Sequence, residues 1–303
     1  MMHPRDIRHH DRNDLAKGLA FLSPWLIGFA VFTAIPIGMA FYFSFCDYGL
    51  IDKGGPLWIG LDNYRDLARD KWFWNALSVT GRYALMALPA GMCVSLGLAI
   101  LLNQPIRSQA VYRAIIFLPS LVPVAASAMI WFWLFNTKLG LINYVLGLIG
   151  IPPIGWLTNP AVALPALAFM SLWGVGHTVV IYLAGLQDVP KDLYEAAELD
   201  GATGWRRLWN VTLPMVSPVI FFNLVIAIIG VFRIMDLPYI MTDGGPANAT
   251  QFIALYVYKT SFQFVRMGYA SAMAFVQLLI ILALTGLAFW SSKRWVHYQG
   301  GFR

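Results

Sequence analysis

The chain has 303 residues, of which 59% are hydrophobic and only 12% charged, and its mean hydropathy is +0.64. Soluble domains carry about 25% charged residues, so the composition excludes an ordinary water-soluble domain and points to a polytopic, all-α membrane protein. The formal charge of +6 resembles that of a nucleic-acid binder, but its placement along the chain follows membrane topology instead. Cys46 and Cys93, the two cysteines, lie in or beside apolar runs. They make no disulfide framework and read as small buried hydrophobes.

A helix needs about 20 apolar residues to cross about 30 Å of hydrocarbon. Charge-free windows of that size occur at Gly18–Cys46, Tyr83–Ile106, Ala114–Thr137, Leu208–Phe232 and Met267–Ser292. A longer window, Leu139–Gln187, is too long for one helix. Its first part holds Gly147, Gly150, Pro152, Pro153, Gly155 and Pro160, residues that punctuate loops and helix starts, which leaves Ala161–Gln187 to span. The expectation is six transmembrane helices within 18–292, preceded by an arm, 1–17, and followed by a tail, 293–303. The first apolar run is longer than the core of a signal peptide, so it reads as an uncleaved first helix.

Six crossings put both termini on one side, and Lys and Arg gather on the cytoplasmic side. One side carries Arg5, Arg8, Arg12 and Lys17, then Arg107 and Arg113, then Lys191, Arg206 and Arg207, then Lys293, Arg294 and Arg303, twelve in all. The other carries Lys53, Arg65, Arg69, Lys71, Lys138, Lys259 and Arg266, which is seven. Both termini are therefore expected in the cytoplasm, and nucleic acid is not an expected partner.

The loop between the fourth and fifth spans, 188–214, is charged and compact where its flanks are apolar. Asp188 is placed to cap a helix with Pro190 in its first turn, where a missing N–H is harmless. Asp192 and Glu195 suit that helix's positive end, and Gly201 offers a stop. Thr203 is placed to cap a second short helix bearing Trp205, Arg206, Leu208 and Trp209, and Pro214 and Pro218 mark the start of the fifth span. Ala196 and Ala197 keep one face thin enough for another protein's backbone.

The spacing is Glu195-Ala196-Ala197, three residues, Gly201, nine residues, Val211, one residue, Leu213-Pro214. It resembles the EAA loop of ABC-importer permeases, departing only by Val211 where that family has Ile. The resemblance implies that the loop docks into a cleft of a separate ATP-hydrolysing subunit. Glu195, Ala196, Ala197 and Gly201 would form the docking core, and Asp200, Leu213 and Pro214 would complete the coupling set.

Phe232–Pro246 (FRIMDLPYIMTDGGP) with Ala247–Thr250, Gly60–Tyr64 (GLDNY) and Met267–Ser271 (MGYAS) resemble the carbohydrate-uptake branch of the same permeases. That likeness runs from Leu15 to Tyr298. It implies a bacterial or archaeal inner-membrane protein working with a second similar permease, two copies of an ATP-binding subunit and an external sugar-binding protein. Within Gly244-Gly245-Pro246 the glycines supply the positive φ of a tight turn. Asn248-Ala249-Thr250 fits a three-residue glycosylation sequon.

No G-x-x-x-x-G-K-[ST] phosphate loop occurs, and H-E-x-x-H and G-x-S-x-G are missing. No catalytic, cofactor or metal site is therefore expected on this chain, and ATP and Mg belong on the partner ATPase. A charge at a helix centre costs about 2.5–3.5 kcal/mol, so each ionisable group in a span needs a reason. Arg82, near the outer end of the second span, is placed to snorkel. Arg233 and Asp236, three apart on one helix face, are placed either to pair with each other or to contact substrate. His177 either lines the path or satisfies an interhelical bond, and Trp173 either stacks on a sugar ring or packs. Trp131 and Trp133 read as packing or interface residues. The substrate-path set is thus Trp173, His177, Arg233 and Asp236. The expected function is the permease of an ATP-driven carbohydrate importer, alternating between two faces around a midplane site. Glycerol phosphate, polyol or amino-acid cargo stays open, as does mono- against oligosaccharide. An ion-coupled secondary transporter would want a chain of interior carboxylates, of which only Asp236 is present, and an intramembrane enzyme has no motif.

Overall fold

The computed structural model describes residues 4–49, 51, 54–105 and 107–297. Lys53, Ile106, Arg303 and the outer parts of the expected arm and tail lie outside those residues. The chain divides into two compact units, Met1–Arg69 with Thr260–Phe275, and Asp70–Lys259 with Val276–Arg303.

In the first unit, α1 (Pro4–Phe29) runs through a π-turn (Ala30–Ala34) into α2 (Ile35–Phe43). The expected arm is thus helical from Pro4 and continuous with the first span, Lys17–Phe43. Within the π-turn Ile35 N–H donates to the Ala30 carbonyl, five residues back, and the turn ends two residues before Pro36. A proline inside a helix removes a hydrogen bond and crowds the carbonyl four residues earlier. A widened turn beside it absorbs both effects. Beyond α2, Cys46–Asp47 pairs antiparallel with Leu57–Trp58, and α3 (Asp62–Arg69) follows. Asn63 Nδ2 donates to the carbonyls of Ser44 (3.0 Å) and Cys46 (2.9 Å), and Tyr64 Oη donates to Ser44 Oγ at 2.7 Å. The GLDNY stretch is therefore a clip on the end of the first span. Gly268 N–H of the MGYAS stretch donates to the Tyr48 carbonyl at 2.9 Å.

The second unit begins with α4 (Lys71–Leu102), capped by Asp70, whose carboxylate accepts from Trp72 N–H at 2.8 Å. This helix starts twelve residues before the expected Tyr83, because Asp70 supplies a cap that a hydropathy window cannot see. Arg82 accordingly lies eleven residues into the helix, about 16 Å along it at 1.5 Å per residue, and not at its outer end. The third span is broken: α5 (Gln109–Phe117) and a 3-10 turn (Leu118–Leu121) meet α6 (Val124–Leu134) at 96°. After α7 (Leu141–Leu148), α8 (Pro160–Ser171) and a 3-10 turn (Leu172–Gly174) meet α9 (Gly176–Gln187) at 51°. There follow α10 (Lys191–Leu199), α11 (Gly204–Arg207), a second π-turn (Leu208–Thr212), α12 (Leu213–Phe232), α13 (Asp236–Met241) and α14 (Ile253–Tyr258). The last helix, α15 (Met267–Ser292), shares its residues between the two units. Among the described residues four helices are individually long and apolar enough to cross a membrane, and the count is six when each bent pair is taken as one span.

Lipid tails are as apolar as any helix, so helices in a membrane associate through close packing and internal hydrogen bonds. The second unit fits that rule. Val79, Tyr83, Trp131, Leu164, Leu167 and Phe252 form one buried cluster, and Ala99, Val179, Tyr182, Leu186 and Val216 form another. Ala76, Ala128 and Ala163 are fully buried, and such small residues let backbones approach. By contrast Phe21 is 88% exposed and Leu85 78%, a surface suited to hydrocarbon. Asn143 cross-links the Gly- and Pro-rich stretch after α6. Its amide donates to the Thr137 and Ile154 carbonyls and accepts from Ile154 N–H and Trp156 Nε1, all within 3.2 Å.

Candidate functional site

Three helix breaks meet around one cavity of about 350 Å³. At the first, Pro123 pushes the residue before it out of helical geometry; Val122 is extended (ψ 128) and α6 restarts at Val124. At the second, α9 begins at Gly176, where an added Cβ would lie 2.8 Å from the Ile116 carbonyl and 2.9 Å from Phe117 Cα. The start of α9 therefore presses against the end of α5, and only a residue without a side chain permits it. At the third, α12 ends at Arg233, and α13 restarts at Asp236 with Pro238 in its first turn.

The cavity wall includes Tyr83, Ser120, Ser127, Ser171, Trp173 and the break residues Arg233–Asp236. Ser120 Oγ donates to the Phe117 carbonyl and Ser171 Oγ to the Ala168 carbonyl, each at 2.6 Å, so both hydroxyls satisfy carbonyls freed at a helix end. Trp173 stands edge-to-face to Trp131 at 6.3 Å, and Tyr83 to Phe252 at 4.9 Å. Ring faces, hydroxyls, a guanidinium and a carboxylate suit a solute that is apolar on one face and hydroxyl-rich at its edge. The volume lies at the lower end of the usual range for ligand pockets, about 300–1,000 Å³.

Of the residues expected to line a path, Trp173, Arg233 and Asp236 come together here. His177 does not; it is exposed, with its ring 5.0 Å from that of Phe117. The two readings of Arg233 and Asp236, a mutual pair or substrate contact, both assumed one helix face; the helix instead breaks between them, and among the described residues no ion pair joins them. Tyr83, Ser120, Ser127 and Ser171 escaped sequence reasoning, although Pro119 and Pro123 inside a charge-free window were a signal for the first break. Among the described residues no three His, Cys, Asp or Glu side chains gather as a metal site.

The 188–214 loop has its own geometry. The helix α10 ends in a glycine cap: Gly201 N–H donates to the Glu198 carbonyl (3.0 Å), Ala202 N–H to the Ala197 carbonyl (2.9 Å), and Gly201 has φ +72. That pair of bonds is the Schellman arrangement, which needs a left-handed residue two positions past the last helical one. The interval between the Glu-Ala-Ala triplet and Gly201 therefore has a backbone reason. Glu195, Ala196, Asp200 and Gly201 are exposed and Ala197 is half-buried, and Leu199 is 90% exposed. Asp188 does not cap α10. It closes α9 instead, because buried Val189 and extended Pro190 (ψ 132) delay the next helix to Lys191. Thr203 holds the cap position of α11, but its hydroxyl makes no cap bond. Leu213 and Pro214 open α12 directly after the second π-turn, in which Leu213 N–H donates to Leu208, five residues back. This is the same device as the turn before Pro36.

The family described as binding-protein-dependent transport system inner membrane component matches residues 91–297. The chain is 40% identical over 293 residues to a probable ABC transporter permease protein, YesP, of Bacillus subtilis, covering 95% of this chain and 94% of that one. It is 32% identical over 285 residues to the sulfoquinovosyl glycerol transport system permease protein SmoG of Agrobacterium fabrum, covering 94% and 92%. Its fold is similar to a chain of a bacterial ABC transporter involved in import of the acidic polysaccharide alginate, with TM-score 0.79, 25% identity and coverage of 96% and 99%.

Proposed function

The chain belongs to the family of binding-protein-dependent transport system inner membrane components, and from that premise we propose that it is the permease subunit of an ATP-driven importer for a carbohydrate. The cavity at the three helix breaks is the observation that carries the reading. It combines aromatic faces (Trp173, Tyr83) with polar groups (Arg233, Asp236 and three serines), the mixture a sugar ring requires. A carbohydrate class is further supported by relatives and a structural neighbour whose own cargo is sulfoquinovosyl glycerol or alginate.

In this reading Trp173 stacks on the sugar, Arg233 and Asp236 bond its hydroxyls, and His177 lies beside the path. The chain supplies half of that path and a second, similar permease the other half. Two copies of an ATPase bind ATP and Mg, and an external binding protein delivers the sugar. This chain performs no catalysis. Glu195, Ala196, Ala197, Asp200 and Gly201 form the ATPase-facing surface, and Leu213-Pro214 joins it to α12. The 188–214 loop, arm 1–17 and tail 293–303 face the cytoplasm, and residues 18–292 form the membrane domain. The test is co-expression with a candidate ATPase, second permease and binding protein. Expected are a stable complex, no ATP hydrolysis by this subunit alone, and sugar uptake that requires the binding protein. Uptake by this subunit in isolation would overturn the reading.

A further inference from the structure

We infer that the ATPase-facing helix α10 drives α12 specifically, through a hydroxyl strut between Tyr194 and Thr212, and that α12 carries the motion as a rod to the cavity. The inference rests on the proposed coupling role of α10.

Tyr194 Oη lies 3.0 Å from Thr212 Oγ1, and Thr212 Oγ1 reaches back to the Arg207 carbonyl at 3.4 Å. Arg207 in turn faces the Glu198 carboxylate at 3.5 Å. Glu198 lies four residues after Tyr194, one turn along the same face of α10, so the contacts close a ring. Among the described residues both polar ties of α10's side chains to other elements go to one helix. That helix is unbroken, since Gly204–Phe232 runs 29 residues through the π-turn. Thr212 is buried, where a hydroxyl pair is shielded from competing water and is harder to break.

On its other side α10 is less firmly held. A cavity of about 310 Å³ separates Tyr194, Arg207 and Thr212 from Ile100, Asn103 and Gln104 at the end of α4. The Tyr194 ring packs against the apolar cluster there, but among the described residues no polar tie fixes it to α4 or α9. A push on α10 therefore meets room toward α4 and a hydrogen-bonded link toward α12. At the far end of α12, Thr212 to Arg233 is 21 residues, or about 31 Å at 1.5 Å each, and Arg233 is on the substrate cavity wall. Tyr194 is thus a positioning residue. It touches neither ATP nor sugar, but fixes which transmembrane helix the ATPase moves.

The test uses the assembled complex in lipid nanodiscs, with Cys46 and Cys93 replaced by Ala and a reporter, Ile234→Cys, on the cavity wall. The maleimide labelling rate is read with and without Mg-ATP and vanadate, so no knowledge of the sugar is needed. With Tyr194 intact, nucleotide should change the rate. Tyr194→Phe and Thr212→Val, which keep ring and shape, should each cut that change several-fold while the ATPase still co-purifies, and the double variant should be no worse than either single one. A full-sized change in both single variants would overturn the strut, as would multiplying effects, or no change even with Tyr194 intact. A Gly201→Asp complex isolates the underlying reading. If it retains its ATPase and its nucleotide response, α10 is not the coupling element at all. If it loses them while Tyr194→Phe does not, the strut alone fails.

Discussion

The hydroxyl of Thr80 accepts the backbone N–H of Ile253 at 3.0 Å, tying two residues 173 positions apart in the chain. Ile253 is the first residue of α14, whose early N–H groups have no partner within the helix. The cap is therefore supplied from the middle of α4, and the same hydroxyl donates to the Ala76 carbonyl at 2.9 Å. Asn75 Nδ2 holds the Asn248 carbonyl at 3.2 Å, and Tyr256 Oη donates to Asp70 Oδ2 at 2.7 Å. Three polar side chains of one helix stretch thus fasten the segment that follows the cavity.

Thr80 is fully buried, so Thr80→Val should leave an N–H unsatisfied and destabilise the protein by about 1–3 kcal/mol. Thr80→Ser should recover most of that. Melting of the purified protein in detergent measures both.

Gly176→Val should cost about 1–3 kcal/mol or more, the usual range for overpacking. Its Cβ would meet the backbone of residues 116 and 117 and the Ser120 hydroxyl, and backbone cannot rotate away. Because the contact joins two of the three breaks, the variant should also alter thiol labelling of cysteines placed along the cavity wall.

Trp173→Ala and Arg233→Ala should each reduce uptake of the transported sugar by on the order of tenfold, equivalent to about 1.4 kcal/mol of lost binding, while the complex still assembles. His177→Ala should have a smaller effect, because the ring lies outside the cavity. Uptake assays paired with co-purification separate the two outcomes.

Gly201→Asn should be tolerated better than Gly201→Asp. Both must adopt φ near +72, where Asn is the more readily accommodated side chain. Apart from Gly201 itself and its two chain neighbours, no atom of the described residues lies within 4 Å of the new Cβ position, so insertion in the membrane and protein level should survive. The loss in Gly201→Asp should appear as weaker ATPase binding and lower uptake, read by co-purification and transport.

The spans and the two short helices of the 188–214 loop were legible because both are written in local pattern: length of apolar run for one, counted spacing for the other. Bends were not. A window such as Ala114–Thr137 has the same hydropathy whether it crosses straight or turns by 96° at Val122, and only Pro119 and Pro123 hinted at the break. The same blindness put Arg233 and Asp236 on one helix face, since three-residue spacing means one face only if the helix continues. Ser120, Ser127 and Ser171 carried no signal, because a serine in an apolar run looks identical whether its hydroxyl faces a cavity or a neighbouring helix. Asp188 was misassigned as a cap because burial of Val189, a tertiary fact, decides where the next helix begins.

The π-turn at Leu208–Thr212 has a consequence for direction. Each residue of an α-helix advances the chain by about 100° around its axis, and a π-turn holds one surplus residue. Everything before Leu208 is therefore rotated by roughly that angle from where an uninterrupted helix would set it. The compass bearing of α11, and of α10 tied to it, is fixed by a count. Removing the exposed Asn210 would swing Trp205 and Arg207 to another side of α12 while leaving Leu208, Val211 and Thr212 in the chain. The nine residues between Gly201 and Val211 thus specify an azimuth as much as a distance.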